Sequence, residues 1–561
     1  MPEDAEYLSL PEVTISAFTE TGIAESSIIV PLQRAYTGRK PVISSHLADT
    51  PCATLGIQGL LDQLNTTLGT SYSLDNPFLS SLLEECITNY DDFGMAYSHL
   101  RNIWYTDNWS TIRDVLRSKE EEDREERRKA LVGNRIVNTW LPPRRVWDLY
   151  SNRVVPYWIM DTDSDSGCHI CPRPISHAWM DDKDRTAVWT PINGYKWPVP
   201  IPKDVHLNLI RIEVLNLRRE YAWLDVLCLR QVGGPGEDIR TEEWKLDVPT
   251  IGAVYRDTCV VCYLSGLGLP LTLKEGDLES DRCWFRRAWT LQEIGGEDEY
   301  RVIAGDTPDG PLHAERKDGT YETELLTRFH KQLQSTHKAQ VLYLVFRALE
   351  EMRKRVSTNP VDKIAGLAFL MGSRQIPAYH ESASLEEAWT ALVNSMNAYC
   401  RAELFFLCPE PGDRGPKWRP SWDQVMTKPL PAYHFDPAGV SHKTSFLPQF
   451  VDRDETGDEA WCDAECIDGL VQGLAVVEEG DRHGEFIVEC DDGIARFKIT
   501  AAHTYPIPED TYTLIYGCDY RTNSYVVGRS LPGGKFEKVS VLETSDDDLY
   551  YITEKRRCIL I

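Results

Sequence analysis

The chain has 561 residues, is 42% hydrophobic and carries a formal net charge of −27. A chain of this length exceeds a single hydrophobic core and is expected to divide into about two to four domains. The negative charge argues against binding nucleic acid or an anionic membrane surface, because both need a basic surface. The sequence shows no apolar run of about 18 residues and no signal peptide, so we expect a cytoplasmic protein without a membrane span.

Four regions are predicted along the chain. Residues 1–144 form a helical N-terminal region, because segments such as PFLSSLLEECITNY carry apolar residues at helical spacing. Within it, Lys119–Leu131 (KEEEDREERRKAL) places acids four residues before bases, which favours an exposed charged helix. Residues 311–425 return to helical spacing, and residues 426–561 show the pattern of an antiparallel, β-rich domain.

Residues 145–310 alternate between short strands and helices. The predicted strands are PISHAW, YAWLDVLCLRQ, TCVVCYLSG and EYRVIAGD, and the predicted helices are NLIRIEVLNLRREY, RTEEWKLDVPTIGAVYRDT and RRAWTLQEIG. The glycine-rich VGGPGED is expected to be a loop. This alternation predicts a multi-domain α/β protein with a parallel sheet covered by helices on both faces. Ligands of such sheets bind at the carboxyl ends of the strands.

Metal sites and the usual nucleophile motifs find little support in the sequence. The acidic segment Asp161–Gly167 lacks the glycine and glutamate positions of an EF-hand loop. The pairs Cys168–Cys171 and Cys259–Cys262 do not supply four converging zinc ligands. No GxSxG elbow, Walker loop or GxGxxG motif follows a strand. We therefore expect no metal and no bound cofactor.

A set of polar and aromatic residues lies at the predicted strand ends, in the second strand and in the last short helix: Ser176, His177, Trp179, Asp225, Arg287, Trp289 and Glu293. In a parallel sheet several of them converge at one edge. A carboxylate beside aromatic rings binds ribose hydroxyls and stabilises an oxocarbenium-like transition state, as cleavage of a glycosidic bond requires. The alternative is a structural pair between Arg287 and Glu293 among packed tryptophans.

Three segments resemble, in order, the motifs of the heterokaryon-incompatibility (HET) domain of fungal proteins: ISHAW, YAWLDVLCLRQ and FRRAWTLQE. The resemblance extends to the helix EEWKLDVPTIGAVY and covers residues 145 to about 306, under a third of the chain. Arg355–Leu370, which includes Asp362 and Lys363, resembles a segment that often follows such domains. Met180 stands where the HET pattern has a glycine.

HET domains are similar to Toll/interleukin-receptor (TIR) domains, which have a flavodoxin-like order of strands and helices. Many TIR domains cleave NAD at the bond between nicotinamide and ribose, with a glutamate in a W-x-x-x-E motif. Trp289 and Glu293 have this spacing, and Asp225 falls where the second TIR strand carries an aspartate. The resemblance therefore implies a self/non-self recognition protein that triggers programmed cell death through NAD glycohydrolysis, with Glu293 as the catalytic residue.

The same resemblance implies roles for the other residues. Ser176 and Asp225 would line the pocket, Trp179 or Trp289 would flank the nicotinamide or adenine ring, and Arg287 would hold a phosphate or orient Glu293. NAD would be a substrate and not a cofactor. The alternative is a non-enzymatic signalling module that self-associates through the HET domain after a protein trigger. A family member that has lost activity is a third reading.

Overall fold

The structure of this chain is a computed structural model, which describes most of residues 42–561 and two short strands before them. The segments that it does not describe within 42–561 are 90–91, 107, 161–170, 204, 257, 270, 294–300, 305–319, 339–344, 432–449, 455–458, 478–479, 491–492 and 520–521. The chain divides into two compact units. The first comprises Met1–Gln340, Arg355–Ser357 and Ala378–His380, and the second comprises Val341–Lys354, Thr358–Pro377 and Glu381–Ile561.

The first unit begins with two paired strands and then five helices among the described residues. These elements are β1 (Val13–Ile15), β2 (Tyr36–Gly38), α1 (Ser45–Ala48), α2 (Cys52–Leu68), α3 (Pro77–Asn89), α4 (Phe93–Leu100) and α5 (Ile112–Ala130). The predicted charged helix is confirmed as the second half of α5. Its Glu120–Arg124 and Asp123–Arg127 pairs close at 3.1 and 2.9 Å, at the four-residue spacing that places side chains on one helix face.

Ten further strands complete the described β structure of the first unit. They are β3 (Leu131–Val132), β4 (Arg135–Ile136), β5 (Arg145–Asp148), β6 (Arg153–Pro156), β7 (Arg173–His177), β8 (Arg185–Val188), β9 (Val199–Pro202), β10 (Tyr221–Trp223), β11 (Val260–Tyr263) and β12 (Arg301–Ile303). Strands β3 and β4 pair antiparallel, as do β8 and β9. The remaining six strands form one sheet.

This six-stranded sheet positions the candidate site. Its order is β12-β11-β7-β10-β5-β6. The four strands β12, β11, β7 and β10 are parallel to one another, whereas the β5–β6 hairpin adds two strands at the edge, and β5 pairs antiparallel with β10. Sequence reasoning did not predict that hairpin. Numbered along the chain, the four parallel strands lie in the order second, first, third, fourth. The first of them, β7, therefore lies between β10 and β11.

The α-helices described between the parallel strands lie in the first two connections. They are α6 (Leu207–Asn216), α7 (Asp225–Cys228), α8 (Glu237–Asp247) and α9 (Ile251–Tyr255), and α10 (Glu324–Lys338) follows β12. The predicted helix over RTEEWKLDVPTIGAVYRDT is divided into α8 and α9 around Pro249, which has no N–H to donate. The expected VGGPGED loop ends at Gly236, whose φ of 79° leads directly into α8.

Two predicted elements differ from the structure. The strand over YAWLDVLCLRQ ends at Trp223, and Asp225 instead begins α7. The side chain of Asp225 accepts a hydrogen bond from the backbone N–H of Val226 at 2.7 Å. Such a local bond competes with strand pairing and favours a helix start. Asp225 therefore lies just beyond its strand and not within it.

The predicted helix over RRAWTLQEIG is also wrong. The structure has two short 3₁₀ helices, Trp284–Arg286 and Trp289–Leu291, with extended backbone at Arg287 between them. The cause is a backbone bridge to a distant segment. The Val356 N–H donates to the carbonyl of Arg286 at 2.6 Å, and the Ala288 N–H donates to the carbonyl of Val356 at 2.9 Å. Glu293 follows the second 3₁₀ helix and does not lie within a helix.

The second unit combines helices with an antiparallel sheet. Its first described elements are α11 (Val345–Arg353), α12 (Asp362–Ala368), β13 (Ile376–Pro377), α13 (Leu385–Ser395), α14 (Ala398–Leu407) and α15 (Trp422–Thr427). Helices α13 and α15 each begin with a capping box, formed by Ser384 with Glu387 and by Ser421 with Gln424. Asp362, singled out in the sequence, is the first residue of α12.

The predicted antiparallel sheet at the end of the chain is confirmed. Its strands are β14 (Asp452–Arg453), β15 (Ala460–Gln472), β16 (Arg482–Cys490), β17 (Gly493–Ala501), β18 (Asp510–Asp519), β19 (Thr522–Leu531), β20 (Lys535–Thr544) and β21 (Glu554–Leu560). The long strand β15 pairs with β16, β18 and β21, so the sheet closes on itself around a core that includes Phe486, Leu514 and Tyr525. Across the parts of both units that are described, no helix is long and apolar enough to cross a membrane.

Candidate functional site

The candidate site lies at the carboxyl end of β7. All five residues of this strand are buried. Its last two residues, Ser176 and His177, pair in register with Cys262 and Tyr263 of β11, while β10 pairs with the start of β7. The chain returns to the sheet on one side of β7 as β10 and on the other side as β11. In open α/β sheets this change of direction leaves a crevice at the carboxyl end of the strand, where ligands bind.

The centre of the site is a hydrogen-bonded chain of three buried side chains. Ser176 Oγ donates to Glu293 Oε2 at 2.6 Å and accepts from Trp284 Nε1 at 2.8 Å. Ser176 and Trp284 are 0% exposed, whereas Glu293 is 9% exposed. A hydroxyl has one proton, and the indole N–H can only donate, so Trp284 fixes the direction in which Ser176 donates. The carboxyl group of Glu293 is thereby held at the sheet edge.

A second cluster surrounds Asp225. Asp225 Oδ1 lies 2.8 Å from His177 Nε2, and Asp225 Oδ2 accepts from Trp179 Nε1 at 2.7 Å. Burial alone would lower the pKa of His177, but the adjacent Asp225 carboxylate raises it. Burial likewise acts to raise the pKa of Asp225, but His177 and Trp179 together lower it. Each residue therefore favours the charged form of the other.

Glu293 is the acid of this site whose pKa lies near neutral pH. Burial raises the pKa of Glu293 from 4.5 to about 7, against the lowering effect of the Ser176 hydrogen bond. The Asp225 charge raises this pKa further, whereas His177 and Arg355 lower it. A carboxyl group with a pKa near neutrality gains or loses its proton at little cost, and such shifted acids are common at functional sites.

Arginines lie beside the two clusters. The Arg185 guanidinium lies 5.0 Å above the ring of Trp179. Burial and the positive charge of Arg287 both lower the pKa of Arg185. The carbonyl group of Arg287 accepts a hydrogen bond from Arg355 at 2.8 Å. The described partner of the Glu293 carboxyl group is the Ser176 hydroxyl.

The segment Cys283–Glu293 (CWFRRAWTLQE) contains two tryptophans, Trp284 and Trp289, which have different neighbours. Trp284, which the sequence did not single out, donates to Ser176. The ring of Trp289 instead lies 6.5 Å from that of Tyr379. The break at Arg287 separates the two, and sequence spacing alone carried no signal for it. The structure thus brings together Ser176, His177, Trp179, Asp225 and Glu293, joined by the overlooked Trp284 and Arg185.

The other sequence candidates do not form a site among the residues described. Asp161–Gly167 and Cys168 lie outside the described residues. Cys262 is buried within β11, whereas Cys259 precedes the strand and is partly exposed. Where the chain is described, no group of three His, Cys, Asp or Glu side chains is arranged to hold a metal ion.

Comparisons of the chain with protein-family models, curated proteins and solved structures find no match. The geometry of the site and the sequence motifs that supply its residues are therefore the basis of a functional proposal. Those motifs contribute residues from three separate parts of the chain to one sheet edge. The chemistry available there is that of a buried carboxyl group with a pKa of about 7, next to a hydrogen-bonded His177–Asp225 pair.

Replacing Glu293 by glutamine is predicted to change how stability depends on pH. Folding raises the pKa of Glu293 from 4.5 to about 7. The folded state therefore holds this proton more tightly, and the resulting stabilisation is complete below the unfolded pKa and lost as the pH rises through 7. Between about pH 4 and about pH 8, the unfolding free energy of the wild type should fall relative to Glu293→Gln by about 3 kcal/mol.

Urea unfolding of the full chain over this pH range measures the difference. The amide oxygen of the variant still accepts from Ser176, so the two proteins differ mainly in the ionisation of residue 293. Glu126→Gln, on the exposed side of α5, is the control and should follow the wild type at every pH. A constant difference between wild type and Glu293→Gln would contradict the raised pKa.

Proposed function

We propose that the protein is a HET-domain effector of self/non-self recognition that cleaves NAD to nicotinamide and ADP-ribose. The observation that carries this proposal is the buried Glu293 carboxyl group, held by Ser176 at the carboxyl end of β7. A ribose placed in this crevice would present its hydroxyl groups to Glu293. Loss of NAD would then be the signal that leads to programmed cell death.

The HET-like motifs support the proposal because each supplies part of one cluster. ISHAW contributes Ser176 and His177, YAWLDVLCLRQ contributes Asp225, and the segment ending in FRRAWTLQE contributes Glu293. The order of the four parallel strands is that of the first four in a flavodoxin-like sheet. TIR domains share this order, which supports the similarity through which NAD cleavage was inferred.

The proposed reaction requires stabilisation of positive charge at the ribose. The bond from C1′ to the pyridinium nitrogen breaks, and its electron pair goes to that nitrogen, which leaves neutral nicotinamide. The ribose becomes oxocarbenium-like, and water adds to C1′ with release of a proton. The ionised Glu293 accepts hydrogen bonds from the ribose hydroxyls, and these strengthen as positive charge develops.

The surrounding charges suit this task. His177 and Asp225 each favour the charged form of the other, which leaves Glu293 as the carboxyl group that an arriving cation would ionise. The positive pyridinium ring of NAD favours the ionised form of a nearby carboxyl group. Trp179 offers a ring that can flank the substrate. Arg185 lies over this ring, and the charge of Arg287 lowers the pKa of Arg185, so two cations are available near it. They are suited to the diphosphate.

Glu293→Gln is predicted to lower NAD cleavage by at least ~100-fold, because removing one preorganised electrostatic group typically has an effect of this size. The glutamine keeps the shape and the Ser176 hydrogen bond but loses the charge. Nicotinamide release by the purified full chain measures the effect, with and without a crowding agent that favours assembly. Glu126→Gln is the control and should release nicotinamide at the wild-type rate.

The same experiment separates the proposal from the alternative signalling role. Assembly without nicotinamide release would support a non-enzymatic module that acts through self-association. Equal turnover by wild type and Glu293→Gln would contradict the assignment of Glu293 as the catalytic residue.

Cleavage by the wild type is predicted to rise with pH through the neutral range, because the reactive form of Glu293 is ionised and its pKa is about 7. The Ser176 hydrogen bond lowers this pKa, so Ser176→Ala should move the rise to higher pH. Profiles of kcat/KM against pH measure the shift. Ser98→Ala removes a buried serine hydroxyl in α4 and should leave the profile in place. An unmoved profile in Ser176→Ala would contradict this role.

The two tryptophans are predicted to respond differently to replacement by phenylalanine. Trp284→Phe removes the donor that orients Ser176 and should lower kcat/KM about tenfold, the effect of losing one buried hydrogen bond. Trp289→Phe changes a ring that packs against Tyr379 and should change kcat/KM by less than ~3-fold. A larger loss in Trp289→Phe than in Trp284→Phe would instead favour Trp289 as the substrate-flanking ring.

A further inference from the structure

Gln292, the residue directly before Glu293, has a buried side chain whose polar atoms lack partners. It is 4% exposed, and neither its Oε1 nor its Nε2 forms a hydrogen bond. Among the described residues it is the one side chain with two such atoms. Gln292 is the C-cap of the 3₁₀ helix Trp289–Leu291, and the next residue of the chain is Glu293.

Two other buried glutamines among the described residues have partners. Gln231 is 7% exposed and donates to the carbonyl of Leu229 at 3.0 Å. Gln424 is 6% exposed, accepts from Ser421 N–H at 2.8 Å and donates to the carbonyl of Pro411 at 2.9 Å. An unpartnered buried polar group costs about 1–3 kcal/mol. Such a cost beside a reactive carboxyl group is expected when a ligand supplies the missing partners.

The chemistry of the amide indicates what that ligand group is. A glutamine amide presents one acceptor and one donor group side by side in a plane. A primary carboxamide presents the complementary pair, so two parallel hydrogen bonds form between the two groups. We propose that Gln292 binds the carboxamide of the nicotinamide ring, an inference that rests on the proposed cleavage of NAD.

This role fits the position of Gln292 next to Glu293. The carboxamide is attached to the leaving pyridine ring, whereas Glu293 addresses the ribose on the other side of the scissile bond. Two neighbouring residues would then hold the two fragments that separate during the reaction. Gln292 would set the orientation of the leaving group and make the site selective for a carboxamide over other substituents of the same size.

The test compares NAD with its 3-acetylpyridine analogue, in which a methyl group replaces the amide nitrogen and removes the donor to Gln292 Oε1. The measured quantity is the ratio of kcat/KM for the two substrates in the wild type and in Gln292→Met. Any difference in leaving-group reactivity between the two pyridines is the same for both proteins and cancels. The preference for NAD should fall at least ~10-fold in Gln292→Met, since the lost bond is one that only NAD makes.

Gln424→Met makes the same substitution at a buried glutamine of the second unit whose amide has partners. It should leave the substrate preference at the wild-type value and lower the thermal midpoint. Gln292→Met should instead raise the midpoint, because it replaces an unpartnered amide by an apolar side chain of similar size. Gln292→Leu provides a second variant if the methionine does not fit.

The outcomes separate this inference from the proposal on which it rests. Wild-type cleavage of NAD with an unchanged substrate preference in both Gln292 variants overturns the role of Gln292 and leaves the proposed function standing. No nicotinamide release from the wild type overturns both. A reduced preference in the Gln292 variants, with the Gln424 control unchanged, supports the carboxamide contact.

Discussion

The hydrogen bond from Ser176 to Glu293 is the interaction on which the candidate site depends. It joins the central strand β7 to a residue 117 positions later in the chain. The strand fixes Ser176, and Trp284 fixes the direction of its hydroxyl. Glu293 itself lies outside any helix or strand, so this contact determines where its carboxyl group stands. Burial at that point then moves its pKa towards neutrality.

The groups around this contact leave Glu293 with a pKa of about 7, at which it is readily ionised. His177 forms a hydrogen bond with one carboxylate oxygen of Asp225, and Trp179 donates a hydrogen bond to the other. An acid in such surroundings can change its ionisation when a cationic substrate arrives. Gln292, which precedes Glu293 in the chain, has a buried amide without hydrogen-bond partners, and we propose that a ligand supplies them.

The sequence allowed much of the sheet and part of the site to be predicted. Ser176, Asp225 and Glu293 could be brought together because the carboxyl ends of neighbouring parallel strands meet at one edge. The contribution of Trp284 could not be foreseen, since it depends on the bridge between Arg287 and Val356 that interrupts the expected helix. The apolar residues around Asp225 predict a strand, but its side chain accepts a hydrogen bond from the N–H of Val226 and begins a helix.

The central claim is that Glu293 is a buried acid that titrates near neutral pH and becomes ionised when NAD binds. Difference infrared spectroscopy of wild type against Glu293→Gln follows this carboxyl group directly across a pH titration. A protonated carboxyl signal that disappears around pH 7, and at lower pH once NAD is bound, is the predicted result. Titration near the ordinary glutamate pKa of 4.5, unchanged by NAD, would contradict the account.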